Sequence, residues 1–411
     1  MTPHVSDLAC MEIFTVVNDH LCVGGTDVET LVTQAGGTPA FIYGRAMVDQ
    51  RVDALRAHLP EDVHLHYAIK ANPLPGLVEH LGRRVDGLDV ASLRELKLAL
   101  STGIPAPDIS FAGPGKRDAE LAAAISAGVI LSVESENEFS RILTQADTLG
   151  ITPQIALRVN PDFELKSSGM RMGGGARPFG IDAEQMPDLL REVAGSGAHF
   201  QGLQIFAGSQ SLRAEALIAT QDAIFDLAYR LADQAPGPLR LLNIGGGLGI
   251  PYFPGEQPVD LAAISENLHR RMAVCRERLP QARIILELGR YLVGEAGVYL
   301  TRIIDRKSSR GQVFLVTDGG MHHHLAASGN LGQVLRKNYP VAIATRMREP
   351  EAEIASVVGP LCTPLDILAD RVELPVAQVG DLVAVFQSGA YGLSASPTGF
   401  LGHPHAREIL I

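Results

Sequence analysis

Val63-His-Leu-His-Tyr-Ala-Ile69, Gly87-Leu-Asp-Val90, Ile109-Ser-Phe-Ala112 and Val129-Ile-Leu-Ser-Val133 follow one another as short apolar runs. Between them lie stretches such as Leu93 to Ser101 and Ala119 to Ala127. There apolar residues recur at i, i+3 and i+4, as on one face of a helix. The alternation extends back to Ala40-Phe-Ile-Tyr43. It runs forward through Gln154-Ile-Ala-Leu-Arg-Val159, Phe200-Gln-Gly-Leu-Gln-Ile-Phe206, Leu241-Leu-Asn-Ile244 and Arg283-Ile-Ile-Leu-Glu287. Regular strand-then-helix order implies parallel strands joined by right-handed crossovers. Eight or nine such units in about 250 residues is the count of a (β/α)8 barrel, with a doubly wound open sheet the alternative on pattern alone. The barrel reading predicts that polar residues at the C-terminal strand ends are the catalytic ones.

After Gly289 the rhythm changes. Val298 to Ile304, Gln312 to Val316, Glu353 to Val358, Arg371 to Leu374 and Asp381 to Phe386 read as strands separated by turns, with few helices between them. That pattern predicts an antiparallel β domain. Phe14 to Cys22 is also strand-like and is expected to pair into it. The predicted division is a barrel over 38–288 and a β domain made of 1–37 and 289–411, reasonable for 411 residues.

Composition narrows the function. A net charge of -11 argues against a nucleic-acid surface, which needs clustered Lys and Arg. No apolar run approaches the length of a membrane span, and the N-terminal residues do not read as a signal peptide. A cytoplasmic protein is the expectation. Cys10, Cys22, Cys275 and Cys362 are scattered, which suggests neither a disulfide framework nor a zinc site. Consecutive residues of a strand alternate faces, so His322, His323 and His324 are not expected to bind a metal together.

Five stretches carry candidate chemistry. Tyr67-Ala-Ile-Lys70-Ala-Asn72 puts a lysine at the end of an apolar strand. It is either a side chain snorkelling to water or an amine prepared to form an imine. Asn243-Ile-Gly-Gly-Gly-Leu-Gly249 directly follows a strand, and adjacent glycines allow backbone amides to approach a phosphate, although they also serve tight turns. It is not G-x-G-x-x-G, so a Rossmann site is not expected. Glu287-Leu-Gly-Arg290 places a carboxylate and a guanidinium at the last strand's edge, either as a site or as a surface ion pair. Gly359-Pro-Leu-Cys362-Thr-Pro-Leu-Asp366 and Gln387-Ser-Gly-Ala-Tyr391-Gly are turns unless they act with the others.

Taken in order, the five resemble the motifs of the fold-type III pyridoxal-phosphate decarboxylases, which include diaminopimelate, ornithine and arginine decarboxylases. The resemblance runs from Thr38-Pro39 to the C-terminus. Phe111-Ala-Gly-Pro-Gly-Lys116, Asp318-Gly-Gly-Met-His-His-His324, Gly359-Pro-Leu-Cys-Thr-Pro364, Gly389-Ala-Tyr-Gly-Leu-Ser394 and Phe400-Leu-Gly-His-Pro404 look closest to two groups within the family. One is the butirosin-type glutamyl-[acyl-carrier protein] decarboxylases, the other the exosortase-associated decarboxylases.

The resemblance implies an alanine racemase-like barrel, pyridoxal 5'-phosphate, and loss of an α-carboxylate from an amino acid or a carrier-tethered aminoacyl group. Diaminopimelate decarboxylation and racemisation on the same fold are the alternatives. Lys70 would carry the cofactor as a Schiff base. Gly245, Gly246 and Gly247 would hold its phosphate, assisted by Ser209 and Arg290, with Gly289 beside them. Glu287 would pair with the pyridine nitrogen. Asp89 and Arg158 match other cofactor-side positions. Phe206 stands where many relatives stack a histidine on the ring, and can stack without titrating.

Cys362 and Tyr391 would enter from the partner subunit of a homodimer, with Cys362 reprotonating Cα. The residue after the family cysteine is commonly acidic and reads a distal amine. Here it is the neutral Thr363, so a diamino substrate would lose a charged partner, a loss of roughly 2–5 kcal/mol. Arg171, His323, Arg336, Tyr339, Thr363 and Asp366 are the candidate substrate contacts; the arginines suit a carboxylate or the phosphopantetheine arm of an acyl carrier protein.

Overall fold

The computed structural model describes residues 14–165, 169–333 and 336–411. Cys10 lies outside them. The described residues divide into two compact units: one lies within Val52–Ile250 and Pro258–Gly289, the other within Phe14–Arg51, Pro251–Gln257 and Arg290–Ile411.

The first unit is the barrel. Its parallel strands are β1 (Val63–Ala68), β2 (Gly87–Val90), β3 (Ile109–Phe111), β4 (Ile130–Val133), β5 (Gln154–Asn160), β6 (His199–Ile205), β7 (Leu241–Asn243) and β8 (Arg283–Leu288). Each pairs with the next, and β8 pairs with β1, closing the ring. These runs are almost wholly buried, as strands covered by helices must be. Local chemistry sets the helix ends. Ser92, Ser135 and Asp260 accept backbone N–H groups as N-caps, while Gly128 and Gly150 end their helices at φ 73° and 65°.

Ala40–Tyr43, expected as the first barrel strand, lies in the other unit. It pairs antiparallel with Gly297–Ser309 and parallel with Arg407–Leu410. A four-residue apolar run carries no signal of which sheet it joins, since burial on both faces looks the same in either.

The second unit is a mostly antiparallel β structure. Its sheet runs in the order Val341–Ile343, Leu382–Val385, Gly297–Ser309, Gln312–Thr317, Ala352–Val358, Ile367–Pro375. One pairing in this order, Gln312–Thr317 with Ala352–Val358, is parallel. The N-terminal segment expected in this domain lies in the same unit as a small sheet of its own, Thr15–Val17, His20–Val23 and Thr26–Asp27. Its apolar side packs into the same core as Ile42, Val298, Leu300, Leu382 and Phe386. Among the described residues no helix is long and apolar enough to cross a membrane.

Candidate active site

In the barrel unit, the site grows from the C-terminal strand ends. β1 finishes in a single helical turn, Ile69–Ala71, which carries Lys70. That turn is fixed from below: the fully buried Tyr67 donates its hydroxyl to the Asn72 carbonyl at 2.9 Å, and Asn72 Oδ1 accepts from Leu74 N–H. Gly289 completes the seat, because a Cβ there would lie 2.9 Å from Ala71 Cβ. Lys70 is therefore held at its backbone while its side chain stays 44% exposed. Nζ stands 3.8 Å from Glu287 Oε1 and 5.6 Å from the centre of the Phe206 ring.

Glu287, near the end of β8, is buried. Gln204 Nε2 and Asn243 Nδ2 donate to its Oε2 at 2.8 and 3.2 Å. Burial, then the nearby Asp89, push its carboxyl above the ordinary range, and the charges of Lys70 and Arg158 pull it back. Asn243 also ties this carboxylate to the glycine run, since its Oδ1 accepts from Gly245 N–H at 2.8 Å.

The run itself needs glycine for two reasons. Gly245 and Gly247 have φ of 66° and 91°. At Gly246 a Cβ would fall 2.2 Å from the Glu287 carbonyl oxygen, so only glycine lets the run lie against the end of β8.

Asp89, at the end of β2, accepts from Ser110 Oγ and approaches His66 Nδ1 at 3.4 Å. Its Oδ2 is buried and has no partner among the described residues, and the same holds for Gln204 Oε1. Two orphaned buried acceptors beside an exposed amine leave room for a ligand that brings donors. Arg158 on β5 is paired with Glu134 at 2.7 Å and stacks over Phe179. Ser209 sits in a two-residue strand opposite Met170, and the Arg171 backbone pairs with Gly208; the Arg171 side chain lies outside the described part.

The β unit carries the remaining candidates, and brings Arg290, Tyr391 and Tyr339 together around Tyr252. Arg290 Nη1 donates to the Tyr252 hydroxyl at 2.7 Å, and its guanidinium lies over the Tyr391 ring at 4.6 Å. Tyr339 packs on Tyr252 with ring centres 4.8 Å apart, and burial pushes its phenol well above the ordinary value. The loop carrying Tyr391 holds two non-glycine residues at left-handed φ, Gln387 at 57° and Tyr391 at 54°, a strain that concentrates at functional sites.

Cys362 is exposed on the loop 359–366. Asp366, a candidate substrate contact, anchors that loop: Oδ1 accepts from Met321 N–H at 2.6 Å and Oδ2 from Leu361 N–H at 2.8 Å. Cβ atoms at Gly320 and Gly359 would fall 2.2 and 2.3 Å from its carboxylate, which accounts for both glycines. The Thr363 hydroxyl accepts from Leu365 N–H at 3.3 Å. Arg336 donates to the Ile367 carbonyl.

The three histidines follow the strand Gln312–Thr317 in a turn, so strand alternation does not govern them, and all three are buried. His323 Nε2 donates to the Pro404 carbonyl at 2.8 Å, leaving Nδ1 to accept from the Tyr299 hydroxyl at 3.3 Å. His324 Nδ1 accepts from Ala327 N–H, so Nε2 carries the proton and donates to Ser388 Oγ. Both ring nitrogens of His323 and of His324 thus make internal bonds.

Sequence reasoning assigned no role to Gln204, Asn243, Ser110 or His66. Their signal was a polar side chain within an otherwise apolar barrel strand, a combination that burial tolerates only with a partner.

A closed parallel barrel with a lysine, a buried carboxylate and a glycine cradle at its C-terminal rim is the arrangement of a pyridoxal-phosphate enzyme. Comparison with known proteins narrows the class. Residues 45–294 match the model of the pyridoxal-dependent decarboxylase, pyridoxal binding domain. The chain is 37% identical to the L-glutamyl-[BtrI acyl-carrier protein] decarboxylase of Niallia circulans over 93% of its own length and 90% of that protein's. It is 32% identical to the diaminopimelate decarboxylase of Aquifex aeolicus, over 95% and 90%. The crystal structure of AQ1208 from Aquifex aeolicus superposes with a TM-score of 0.86 at 28% identity, covering 100% of this chain and 94% of that one. The chain belongs to the fold-type III pyridoxal-phosphate-dependent decarboxylases, and is a carboxy-lyase.

Proposed function

We propose that this decarboxylase acts on an aminoacyl group tethered to an acyl carrier protein, rather than on a free diamino acid. The observation that carries this reading is Thr363. It follows Cys362 with no charge, its hydroxyl is engaged within its own loop, and so it offers no counter-ion for a distal ammonium. The 37% identity to a decarboxylase named for a carrier-bound glutamyl substrate supports the same choice.

The barrel residues fit pyridoxal phosphate. The glycine run leaves no room for a Cβ, Lys70 presents an exposed amine, and Asp89 Oδ2 and Gln204 Oε1 wait for donors. Lys70 would hold the aldehyde carbon, Gly245, Gly246 and Gly247 with Ser209 the phosphate, and Glu287 the ring nitrogen. When bound, the cofactor supplies an electron sink for the bond between Cα and the leaving carboxylate.

The protein's own residues do the rest. Glu287, held by Gln204 and Asn243, would turn its carboxylate to the ring nitrogen. Phe206 offers an apolar face next to Lys70 and cannot exchange a proton there. Lys70 takes up and releases protons at its amine as substrate enters and product leaves. Cys362 delivers the proton that Cα needs once carbon dioxide has gone. Cys362 and Tyr391 serve the barrel of a second copy, so the working enzyme is a homodimer.

Carbon dioxide release should be compared between a carrier-bound glutamyl thioester and free meso-diaminopimelate. The tethered substrate is expected to turn over with the higher kcat/KM. Preference for free diaminopimelate would reverse the reading of Thr363. Full activity from a monomer would remove the shared site.

A further inference from the structure

Behind Arg158 the barrel buries three more ionisable side chains that the chemistry above leaves unused: Lys116, Glu138 and Glu134, each no more than 4% exposed. Lys116 Nζ is fully committed. It donates to the Gly113 and Ser132 carbonyls at 2.8 Å each and to Glu138 Oε1 at 2.7 Å. Glu138 Oε2 accepts from the backbone N–H of Glu134 at 2.7 Å. The Glu134 carboxylate accepts from Gly113 N–H at 2.6 Å, from Gly180 N–H at 2.9 Å and from Arg158 Nη1 at 2.7 Å. Four charges, two of each sign, therefore form one connected chain ending at the Arg158 guanidinium.

Such a chain is a poor device for stability alone, because apolar residues of similar volume usually serve as well as a buried ion pair. It is a good device for fixing a direction. Arg158 is level with Gln204 in the barrel register, and Gln204 is level with Asn243. Those two side chains both hold Glu287 Oε2. Burial lowers the proton affinity of Lys116 and the pairing with Glu138 offsets part of that, so the chain's charge depends on the pairing being intact.

We propose that Lys116, Glu138 and Glu134 are positioning residues, which lock the Arg158 guanidinium in the field of Glu287 and so keep that carboxylate ionised for the cofactor's ring nitrogen. This rests on the assignment of Glu287 made above. The groups that set the charge of Glu287 are Lys70 on the turn after β1, Asp89 on β2 and Arg158 on β5, with the neutral Gln204 on β6 and Asn243 on β7. Of these, Arg158 is the one that the buried chain controls.

The test compares the holoenzyme with Glu134→Gln, with Lys116→Met, and with Lys116→Met/Glu138→Gln, which removes both charges of the rear pair and so avoids leaving one buried alone. Glu287→Gln is run beside them. Three quantities are read: the affinity of the apoprotein for pyridoxal phosphate, the pH dependence of the bound cofactor's visible absorbance, and kcat per cofactor-loaded site.

Glu134→Gln is expected to weaken cofactor affinity and lower kcat by about tenfold, with KM little changed, and to displace the absorbance titration by about one pH unit in the direction that Glu287→Gln displaces it further. Lys116→Met should act the same way, and the double variant less. A purely structural role would lower the melting temperature and leave the titration and the per-site kcat where they were; that result overturns the proposal. If Glu287→Gln itself leaves the titration unchanged, the assignment of Glu287 fails. If Glu287→Gln moves it and no chain variant does, the positioning role alone fails.

Discussion

Replacing His324 with phenylalanine should change how the protein's stability depends on pH. The ring is completely buried among Phe41, Tyr299 and Tyr339, and burial pushes its pKa from 6.5 down to about 3. A depressed folded-state value means that the unfolded chain binds a proton which the folded chain refuses. The histidine's contribution is therefore fully present above 6.5 and is lost as pH falls toward about 3. Within that window the slope is about 1.4 kcal/mol per pH unit, so descending from 6.5 to about 4 removes about 3 kcal/mol.

At neutral pH the variant is the weaker protein. It loses the bonds to Ser388 Oγ and Ala327 N–H, each contributing about 1 kcal/mol. Below 6.5 the gap between the two proteins should close and then reverse. Chemical denaturation of both at matched pH values, followed by near-ultraviolet circular dichroism, lets the other titrating groups cancel in the difference. A gap that stays constant down to pH about 4 would refute the reasoning.

Other expectations follow from the same structure. Gly246→Ala should bind pyridoxal phosphate at least about tenfold more weakly in an equilibrium titration, because its Cβ would meet the Glu287 carbonyl at 2.2 Å. Gly195→Ala, in the helix Met186–Ser196 with nothing within 4 Å of the new Cβ, should raise the melting temperature by the equivalent of roughly 0.5–1 kcal/mol. Cys362→Ala should keep the cofactor's visible absorbance and lose most turnover, by about a hundredfold or more if the thiol protonates Cα. Asp366→Asn weakens the two bonds that shape the Cys362 loop, and should lower kcat while the absorbance band stays unchanged.

Much of the barrel was legible because its strands are buried on both faces and its helices on one, so two different periodicities alternate along the chain. The same physics explains where reading failed. Ala40–Tyr43 is buried throughout, and full burial says nothing about which sheet supplies the neighbours. Phe14 to Cys22 was expected in the β domain and packs into its core, but the pattern does not say which sheet takes it, and its backbone bonds form a small sheet of their own.

At the site, Lys70, Glu287 and the glycine run stood out because each breaks the apolar pattern of a strand end. Gln204 and Asn243 break it too, but their use emerges only once β6, β7 and β8 stand side by side. His323 and Asp366 were expected to face a substrate. Their partners, Pro404 and Met321 with Leu361, are set by how the turns after Thr317 and Val358 pack, which a linear pattern does not encode.

One chemical trapping experiment reaches the centre of this account. The purified protein, loaded with pyridoxal phosphate, is reduced with borohydride, digested, and mapped by mass spectrometry. The stable adduct is expected on Lys70 alone, and to vanish in Lys70→Ala. An adduct confined to another lysine, or undiminished in that variant, would contradict it.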